Sequence, residues 1–282
     1  MTIVPIPSGT RDVLPDEMRE LRAIGDGLRA VFEEHGYGEI ATPALEYEEV
    51  LQRGDDRAGG AAYRVFNEHG EVLVLRSDMT IPIARLVATR YREVEPPFRF
   101  CYFAHAYRAA ERGVGEPREF LQGGLELIGA PSPNAEAELL TLTLAALDEA
   151  GLRRHRVGVG DGSLYRRLMG AFGVPENEHL PLLERADGPV AEAVEGLRRL
   201  YELLAERGVA ERLIFDLGLV RELGYYTGAV FEVYDPAVGF TLGGGGRYDE
   251  LVGRFGRPLP ACGIALDVQR VHLAQAAEET VR

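Results

Sequence analysis

The 282-residue sequence contains no tryptophan and only two cysteines, Cys101 and Cys262. Two isolated cysteines provide neither a disulfide framework nor a zinc-binding spacing, which favours a reducing compartment. Basic side chains are also few, since 31 Lys and Arg stand against 45 Asp and Glu, giving a formal charge of −14. Proteins that coat nucleic acids need the opposite balance, so that role is disfavoured, although a local basic site stays open.

Long apolar runs are absent as well. The most apolar internal stretch, Leu139 to Leu147, is interrupted by Thr141 and Thr143 and is too short to span a bilayer. The first residues carry Arg11 and two aspartates where a signal peptide would need an apolar segment. With 46% hydrophobic and 27% charged residues, the composition is that of a globular protein. We therefore expect a cytoplasmic protein without membrane contact.

Motifs for metals and nucleotides are also missing. The six histidines are scattered without an HExxH pattern or a Cys/His cluster, so no metal is expected. There is no Walker A sequence, and neither the glycine run Gly243–Gly246 nor the segment Gly158–Ser163 fits the dinucleotide fingerprint. No serine-centred nucleophile motif occurs either. The sequence thus predicts no catalytic residue and no cofactor, and any chemistry would be the binding of a small ligand.

The hydrophobic periodicity predicts an α+β fold, a mainly antiparallel sheet flanked by helices. Helices are predicted over Pro15–His35 and from Asn134 to Gly151. A hairpin is predicted over Ala62–Arg76, and longer strands over Pro97–Arg108 and Arg118–Ile128.

Shorter elements complete this pattern. The predicted strands are 39–42, 155–160, 213–217, 225–234 and one around Phe240, and helices are predicted over 163–172, from Asp78–Thr80 onward and from near Asp267. Residues 177–212 are rich in Leu and Arg without strand signals, and they predict a small helical insertion. The whole chain, 1–282, is interpreted as one domain that contains this insertion.

A polar patch is predicted on the strand Arg118–Ile128. Alternation places Gln122, Gly124 and Glu126 on one face, where they would form a recess for a ligand. A solvent-exposed strand face is an equally good interpretation. The adjacent Gly123 and Gly124 favour the recess, because glycine weakens a strand unless something approaches closely.

Two further segments could contact a ligand. Tyr225 and Tyr226 follow Arg221 and could stack on a ligand ring, although, taken alone, the pair favours ordinary aromatic strand packing. The run Gly243–Gly246 before Tyr248 suggests a close backbone approach to a phosphate or another ligand.

Taken together, these segments resemble the catalytic core of class II aminoacyl-tRNA synthetases of the histidyl type. The resemblance is carried by five stretches, which are Gly36–Pro43, Leu75–Thr80, Tyr107–Glu126, Arg221–Glu232 and Gly244–Arg270. It implies the class II fold and a homodimer, because Gly36–Pro43 matches the motif that builds the class II dimer interface.

The resemblance further implies a pocket for L-histidine. Asp78, Thr80 and Gln122 would contact the ammonium group of the ligand, and Arg108 would contact its carboxylate. A zwitterion needs one cation and several acceptors, and these side chains supply both.

The ring side of the implied pocket consists of aromatic and charged residues. Glu126 and Tyr226 would hold the imidazole, while Arg221, Tyr225 and Tyr248 would line the site.

The departures from the synthetase pattern fall on the ATP side. The synthetases carry a glutamate two residues after the arginine that Arg108 matches and an arginine eight residues after it, where this chain has Ala110 and Glu116. Near the end, Asp267 replaces a glycine that approaches the nucleotide. A carboxylate in place of a phosphate-binding arginine repels a polyanion, so ATP binding is expected to be degenerate.

The segment Arg76–Thr80 carries Asp78 where the synthetases have glutamate, and it resembles the regulatory subunits of ATP phosphoribosyltransferase, paralogues in histidine biosynthesis. The chain ends at Arg282 without an anticodon-binding domain, so no tRNA partner is expected. The resemblance implies a non-catalytic allosteric subunit in a hetero-oligomer with the short catalytic subunit, mediating feedback inhibition by L-histidine. A histidine-adenylating enzyme or truncated synthetase core, and a structural dimer with a vestigial pocket, are the alternatives.

Overall fold

A computed structural model of the chain describes residues 6–55, 62–109, 117–162, 189–216, 218–219 and 223–280. The helices in this part are α1 (Pro15–Glu34), α2 (Glu48–Gly54), α3 (Thr80–Arg90), α4 (Asn134–Glu149), α5 (Pro189–Glu206) and α6 (Val268–Thr280). The strands are β1 (Gly38–Glu39), β2 (Leu45–Tyr47), β3 (Arg64–Phe66), β4 (Val72–Leu75), β5 (Phe98–Tyr107), β6 (Glu119–Ile128), β7 (Arg156–Asp161), β8 (Leu213–Phe215), β9 (Ala229–Tyr234), β10 (Thr241–Arg247) and β11 (Ala261–Asp267). None of these helices is long and apolar enough to cross a membrane.

An eight-stranded sheet forms the centre of the described structure, in the order β1-β5-β6-β11-β10-β9-β7-β8. The two outermost pairs, β1 with β5 and β7 with β8, are parallel, and the pairs between them are antiparallel. The predicted α+β layout is therefore confirmed. The predicted hairpin is also present, because β3 and β4 pair antiparallel and β2 extends them to a three-stranded sheet.

The two faces of the large sheet pack against different helices. Helices α1, α4, α5 and α6 supply apolar side chains to one core, including Leu28 of α1 and Leu200 of α5. Helices α2 and α3 and the hairpin supply the second core on the opposite face. Strand β5 shows the alternation directly, since Phe100 and Tyr102 point into the second core and Cys101 into the first.

Several predictions of strands differ from the structure. The strand predicted over 225–234 begins only at Ala229, because the tyrosine pair lies in a turn. The strand predicted over 39–42 is limited to Gly38–Glu39. Strand β11 has no counterpart among the predicted elements, since Ala261–Asp267 contains only small and mixed side chains without clear alternation. The predicted helix 163–172 lies outside the described residues.

The glycine run 243–246 lies inside β10. The close approach of β11, and not of a ligand, accounts for part of this run. A Cβ atom on Gly245 would overlap the carbonyl oxygen of Gly263 on β11. Gly243 meets the carbonyl oxygen of Ala265 in the same way. The glycines allow β10 and β11 to approach closely next to the candidate site.

Candidate ligand-binding site

A solvent-open cavity lies on the second-core face of the sheet. Of the residues predicted to bind a ligand, those that line it are Asp78, Thr80, Arg108, Gln122, Tyr225, Tyr226 and Tyr248. Residues from four separate parts of the sequence are therefore brought together in one concave site.

Asp78 lies in the turn before α3, a segment that Arg76 fixes to β5. Arg76 is buried, and its Nε donates a 2.8 Å hydrogen bond to the carbonyl oxygen of His105. The Asp78 Oδ1 atom accepts a 3.0 Å bond from the amide of Ile81 in the first turn of α3. Burial raises the pKa of Asp78, and this amide bond and the charge of Arg108 oppose the rise. The carboxylate is thus a fixed acceptor facing the cavity.

Arg108 follows β5 and is the exposed cation of the cavity wall. Its guanidinium lies 5.0 Å from the ring centroid of Phe120, a cation–π contact that orients it. Its charge acts on both Asp78 and Asp267. Among the described residues, no hydrogen-bond acceptor engages the guanidinium, so its donors are available to an anionic group of a ligand.

Gln122 on β6 brings an unpartnered acceptor to the cavity. Its side-chain Oε1 atom is buried and makes no hydrogen bond in the structure. A buried polar atom without a partner costs free energy, so such an atom at a cavity wall is expected to meet a ligand donor. The polar patch predicted on this strand is therefore a recess rather than a solvated face.

Three tyrosines close the cavity on the side of β9 and β10. The ring centroids of Tyr225 and Tyr226 are 4.9 Å apart, and those of Tyr225 and Tyr248 are 5.9 Å apart with an interplanar angle of 79°. The amide of Gly224 donates a 3.1 Å hydrogen bond to Asp55 at the end of α2. This bond fixes the turn that carries the tyrosine pair.

Glu126 lies beneath the cavity rather than on its wall. It is 1% exposed, and its two carboxylate oxygens accept separate hydrogen bonds, one from the Thr80 hydroxyl at 2.7 Å and one from the Tyr248 hydroxyl. Burial raises the pKa of Glu126 to about 8, although both hydrogen bonds act in the opposite direction. Gly263 on β11 leaves room for this carboxyl, since a Cβ atom there would overlap it. Glu126 therefore fixes the hydroxyls of two residues that line the cavity.

Asp267 occupies the degenerate position at the end of β11. Its Oδ1 atom accepts hydrogen bonds from the amides of Gln269 and Arg270, at 3.0 and 3.1 Å, in the first turn of α6. Arg270 in turn donates a 2.8 Å bond to the carbonyl oxygen of Thr241. Helix N-termini attract anions, and here a side-chain carboxylate already occupies that position.

The cavity presents charges that match an amino acid with a polar ring. One cation, Arg108, lines the same cavity as the acceptors Asp78 and Gln122, and this set suits a carboxylate and an ammonium group. The hydroxyls of Thr80 and Tyr248 lie above the buried carboxyl of Glu126.

Comparison with known proteins finds relatives along nearly the whole chain. The chain matches the histidyl-tRNA synthetase family over residues 9–188 and 183–271. It is 39% identical to the ATP phosphoribosyltransferase regulatory subunit of Symbiobacterium thermophilum, covering 98% of this chain and 81% of that protein. It is 37% identical to the protein of the same name in Rubrobacter xylanophilus, covering 93% and 75% respectively. The chain belongs to the ATP phosphoribosyltransferase regulatory subunit family.

Solved structures confirm the fold predicted for this regulatory subunit family. A Bacillus halodurans C protein described as an ATP phosphoribosyltransferase regulatory subunit/histidyl-tRNA synthetase superposes with a TM-score of 0.86 at 30% identity, covering 98% of this chain and 84% of that one. The apo histidyl-tRNA synthetase of S. aureus gives a TM-score of 0.77 at 24% identity, with 98% and 71% covered, and shows the fold alone. The fold is that of a class II synthetase core.

Three of the residues named in the sequence-based predictions lie outside the described part of this regulatory subunit family member, namely Arg221, Ala110 and Glu116. Sequence reasoning missed Tyr102, which lines the cavity from β5. Its ring occupies the space that a side chain at Gly124 would need, so the close approach inferred at that glycine is made by a neighbouring strand. The aromatic alternation of β5 was the available signal.

Proposed function

We propose that this chain is a non-catalytic regulatory subunit that binds L-histidine in the cavity. It activates a short ATP phosphoribosyltransferase catalytic subunit and mediates feedback inhibition in the first step of histidine biosynthesis. One observation carries the proposal. An amino-acid-shaped set of charges, including the unpartnered Oε1 of Gln122, lies beside a nucleotide side that Asp267 fills with its own carboxylate.

The nucleotide side supports a role without catalysis. Asp267 uses the amides at the start of α6, and Arg270 is engaged by Thr241 and lies 3.6 Å from Asp267. A triphosphate would bring negative charge toward a carboxylate whose side chain is only 14% exposed. We therefore propose that the chain neither binds ATP productively nor adenylates histidine.

Feedback inhibition requires that histidine favours one state of the complex. By linkage, the free energy by which bound histidine changes the binding of the catalytic subunit equals the free energy by which that subunit changes histidine binding. A coupling of about 1–3 kcal/mol changes affinity roughly 5- to 150-fold, which is sufficient for regulation.

The proposed homodimer has support in an exposed apolar face. Leu45 and Tyr47 of β2 and Val65 of β3 lie on the side of the small sheet that points away from the core, and each is more than 40% exposed. This face directly follows Gly36–Pro43, the segment that resembles the class II dimer motif. Apolar patches of this kind mark interaction surfaces.

Calorimetry with two ligands tests the pocket. We expect L-histidine to bind, and Arg108→Ala to weaken its binding on the order of tenfold or more, because a charge-assisted hydrogen bond contributes about 1.5–3 kcal/mol. Histidinol lacks the carboxylate, so its affinity should change little in Arg108→Ala.

The matched control for this experiment is Arg92→Ala, which removes an arginine whose side chain is 77% exposed and outside the cavity. Histidine affinity unchanged in Arg108→Ala, or equal losses for both ligands, would contradict the assignment.

A further inference from the structure

Arg247 directly precedes Tyr248, but its side chain points to the opposite face of the sheet. It is 4% exposed and does not line the cavity. Its Nε and Nη2 atoms donate to the two carboxylate oxygens of Glu136 on α4, at 2.5 and 2.9 Å. Glu136 is 1% exposed. A bidentate ion pair is therefore buried behind the candidate site.

The same arginine lies at the centre of further bonds. Its Nη1 atom donates to Asp249 Oδ1 at 2.8 Å, and that oxygen also accepts the amide of Ala261 on β11. The carbonyl oxygen of Arg247 accepts the amide of Thr227 at 2.8 Å, and the Thr227 hydroxyl accepts the amide of Asp249 at 3.0 Å. These contacts link the end of β10 to α4, β11 and the turn after Tyr226.

Two cavity residues, Tyr226 and Tyr248, are adjacent in sequence to members of this network. Thr227 is adjacent to Tyr226, and Arg247 is adjacent to Tyr248, whose hydroxyl donates to Glu126. A shift of the β10 end would therefore move two cavity tyrosines and release one of the two bonds that hold Glu126.

Stability alone is a weak explanation for such a pair. Removing two charges from water is costly, and apolar replacements of buried ion pairs are often neutral or stabilising. What a bidentate Arg–Glu pair supplies is fixed direction, since two parallel hydrogen bonds define the orientation of the guanidinium.

We propose that the Arg247–Glu136 pair is a positioning element of the cavity. From the opposite face of the sheet, the pair holds Tyr248 against Glu126 and keeps Tyr226 in place. The pair contacts no ligand and acts through the two tyrosines. Its effect on L-histidine binding rests on the proposed function, whereas its effect on Glu126 needs no ligand.

The ligand-free test is a carboxyl ¹³C NMR titration of Glu126 in the full chain. The Tyr248 hydrogen bond lowers the pKa of Glu126, so Tyr248→Phe should raise this pKa. The size of that rise is the reference for a complete loss of the bond. Glu136→Gln and Arg247→Lys should raise it in the same direction. Removing the negative charge of Glu136 would by itself lower this pKa, so the sign separates positioning from a long-range charge effect.

The matched control is Glu138→Gln on the same helix. Glu138 accepts hydrogen bonds from Arg99 and Tyr37, both 2.8 Å long, and neither partner lines the cavity. This variant should leave the pKa of Glu126 unchanged. The double variant Glu136→Gln with Tyr248→Phe should shift it no further than Tyr248→Phe alone, because both act on one bond.

Calorimetry with L-histidine supplies the second readout. We expect affinity to fall roughly 10- to 100-fold in Glu136→Gln and Arg247→Lys, by analogy with metal sites, where removing the hydrogen-bond partner of a metal ligand has an effect of this size. A Glu126 pKa that stays unchanged or falls in Glu136→Gln, and stays unchanged in Arg247→Lys, overturns the positioning role. If the pKa rises as expected but the unmodified protein binds no histidine, the proposed function fails and the positioning role stands.

Discussion

At the scale of single residues, Glu126 beneath the candidate site lowers the stability of the fold when it is ionised. Its carboxyl is fully enclosed, and burial raises its pKa from 4.5 to about 8. The ionised form is therefore disfavoured in the folded protein, although Thr80 and Tyr248 each donate to it. A side chain that is costly to ionise, in contact with two cavity hydroxyls, is typical of functional sites.

The substitution Glu126→Gln should separate stability from binding. Because the folded pKa lies above the unfolded one, Glu126 contributes stability that is present below pH 4.5 and lost as the pH rises through 8. Glutamine does not ionise, so the variant should gain relative stability over this window, on the order of 3–5 kcal/mol at about 1.36 kcal/mol per pKa unit. Urea unfolding at pH 5 and pH 9 measures the difference.

Two comparisons make this experiment decisive. Histidine affinity should fall in Glu126→Gln while its stability rises, and the exposed Glu119→Gln on the same strand should change neither. A variant that loses stability equally at both pH values would show that Glu126 is not a destabilising buried acid.

At the scale of elements, Asp267 joins the end of β11 to the start of α6. Its carboxylate accepts two amide hydrogen bonds of the first helical turn. Such a cap stabilises a helix, because the first amides have no partner within it. Asp267, which stands where the synthetase pattern has a glycine, thus has a structural role of its own in this chain.

We expect Asp267→Ala to lower the free energy of unfolding by about 1 kcal/mol and Asp267→Asn to be nearly neutral, since asparagine caps as well as aspartate. Denaturant unfolding of both variants measures this. Equal losses in the two variants would indicate that the charge, and not the cap, is what the position requires.

Elements with strong periodicity were predictable from the sequence, and the rest were not, for physical reasons. Helix α1 follows the predicted apolar face of Leu21, Ile24 and Leu28. Strand β11 could not be found, because its small side chains are selected by close approach to β10 and by the space that Glu126 needs at Gly263. Local propensity carries no record of such cross-strand contacts.

Sequence motifs predicted which residues belong to the candidate site, but not how deep each of them lies. Gln122 and Glu126 share a strand face, as alternation predicts, but alternation does not indicate that Glu126 lies beneath the wall. The side chain of Arg247 points away from the cavity because of its position on β10. The glycine run gave no strand signal there, so this direction was not predictable.

At the scale of the whole molecule, the sheet separates two apolar cores, and the cavity lies on the side of α2 and α3. The exposed apolar face of the small sheet belongs to this same side, so the proposed dimer interface and the candidate site lie on one side of the large sheet. We expect Tyr47→Glu to dissociate the dimer in sedimentation velocity experiments. Tyr201→Glu, at 48% exposure against 45% for Tyr47, is the matched control and should leave the dimer intact.

In the proposed function, histidine acts through this cavity on a separate catalytic subunit. The measurement that tests it most directly combines this chain with the short catalytic subunit and follows phosphoribosyl-ATP formation with and without L-histidine. We expect the chain to activate the catalytic subunit and histidine to inhibit the complex. In Arg108→Ala, activation should remain and inhibition should weaken on the order of tenfold or more. No activation by the unmodified chain, or unchanged inhibition in Arg108→Ala, would contradict the account.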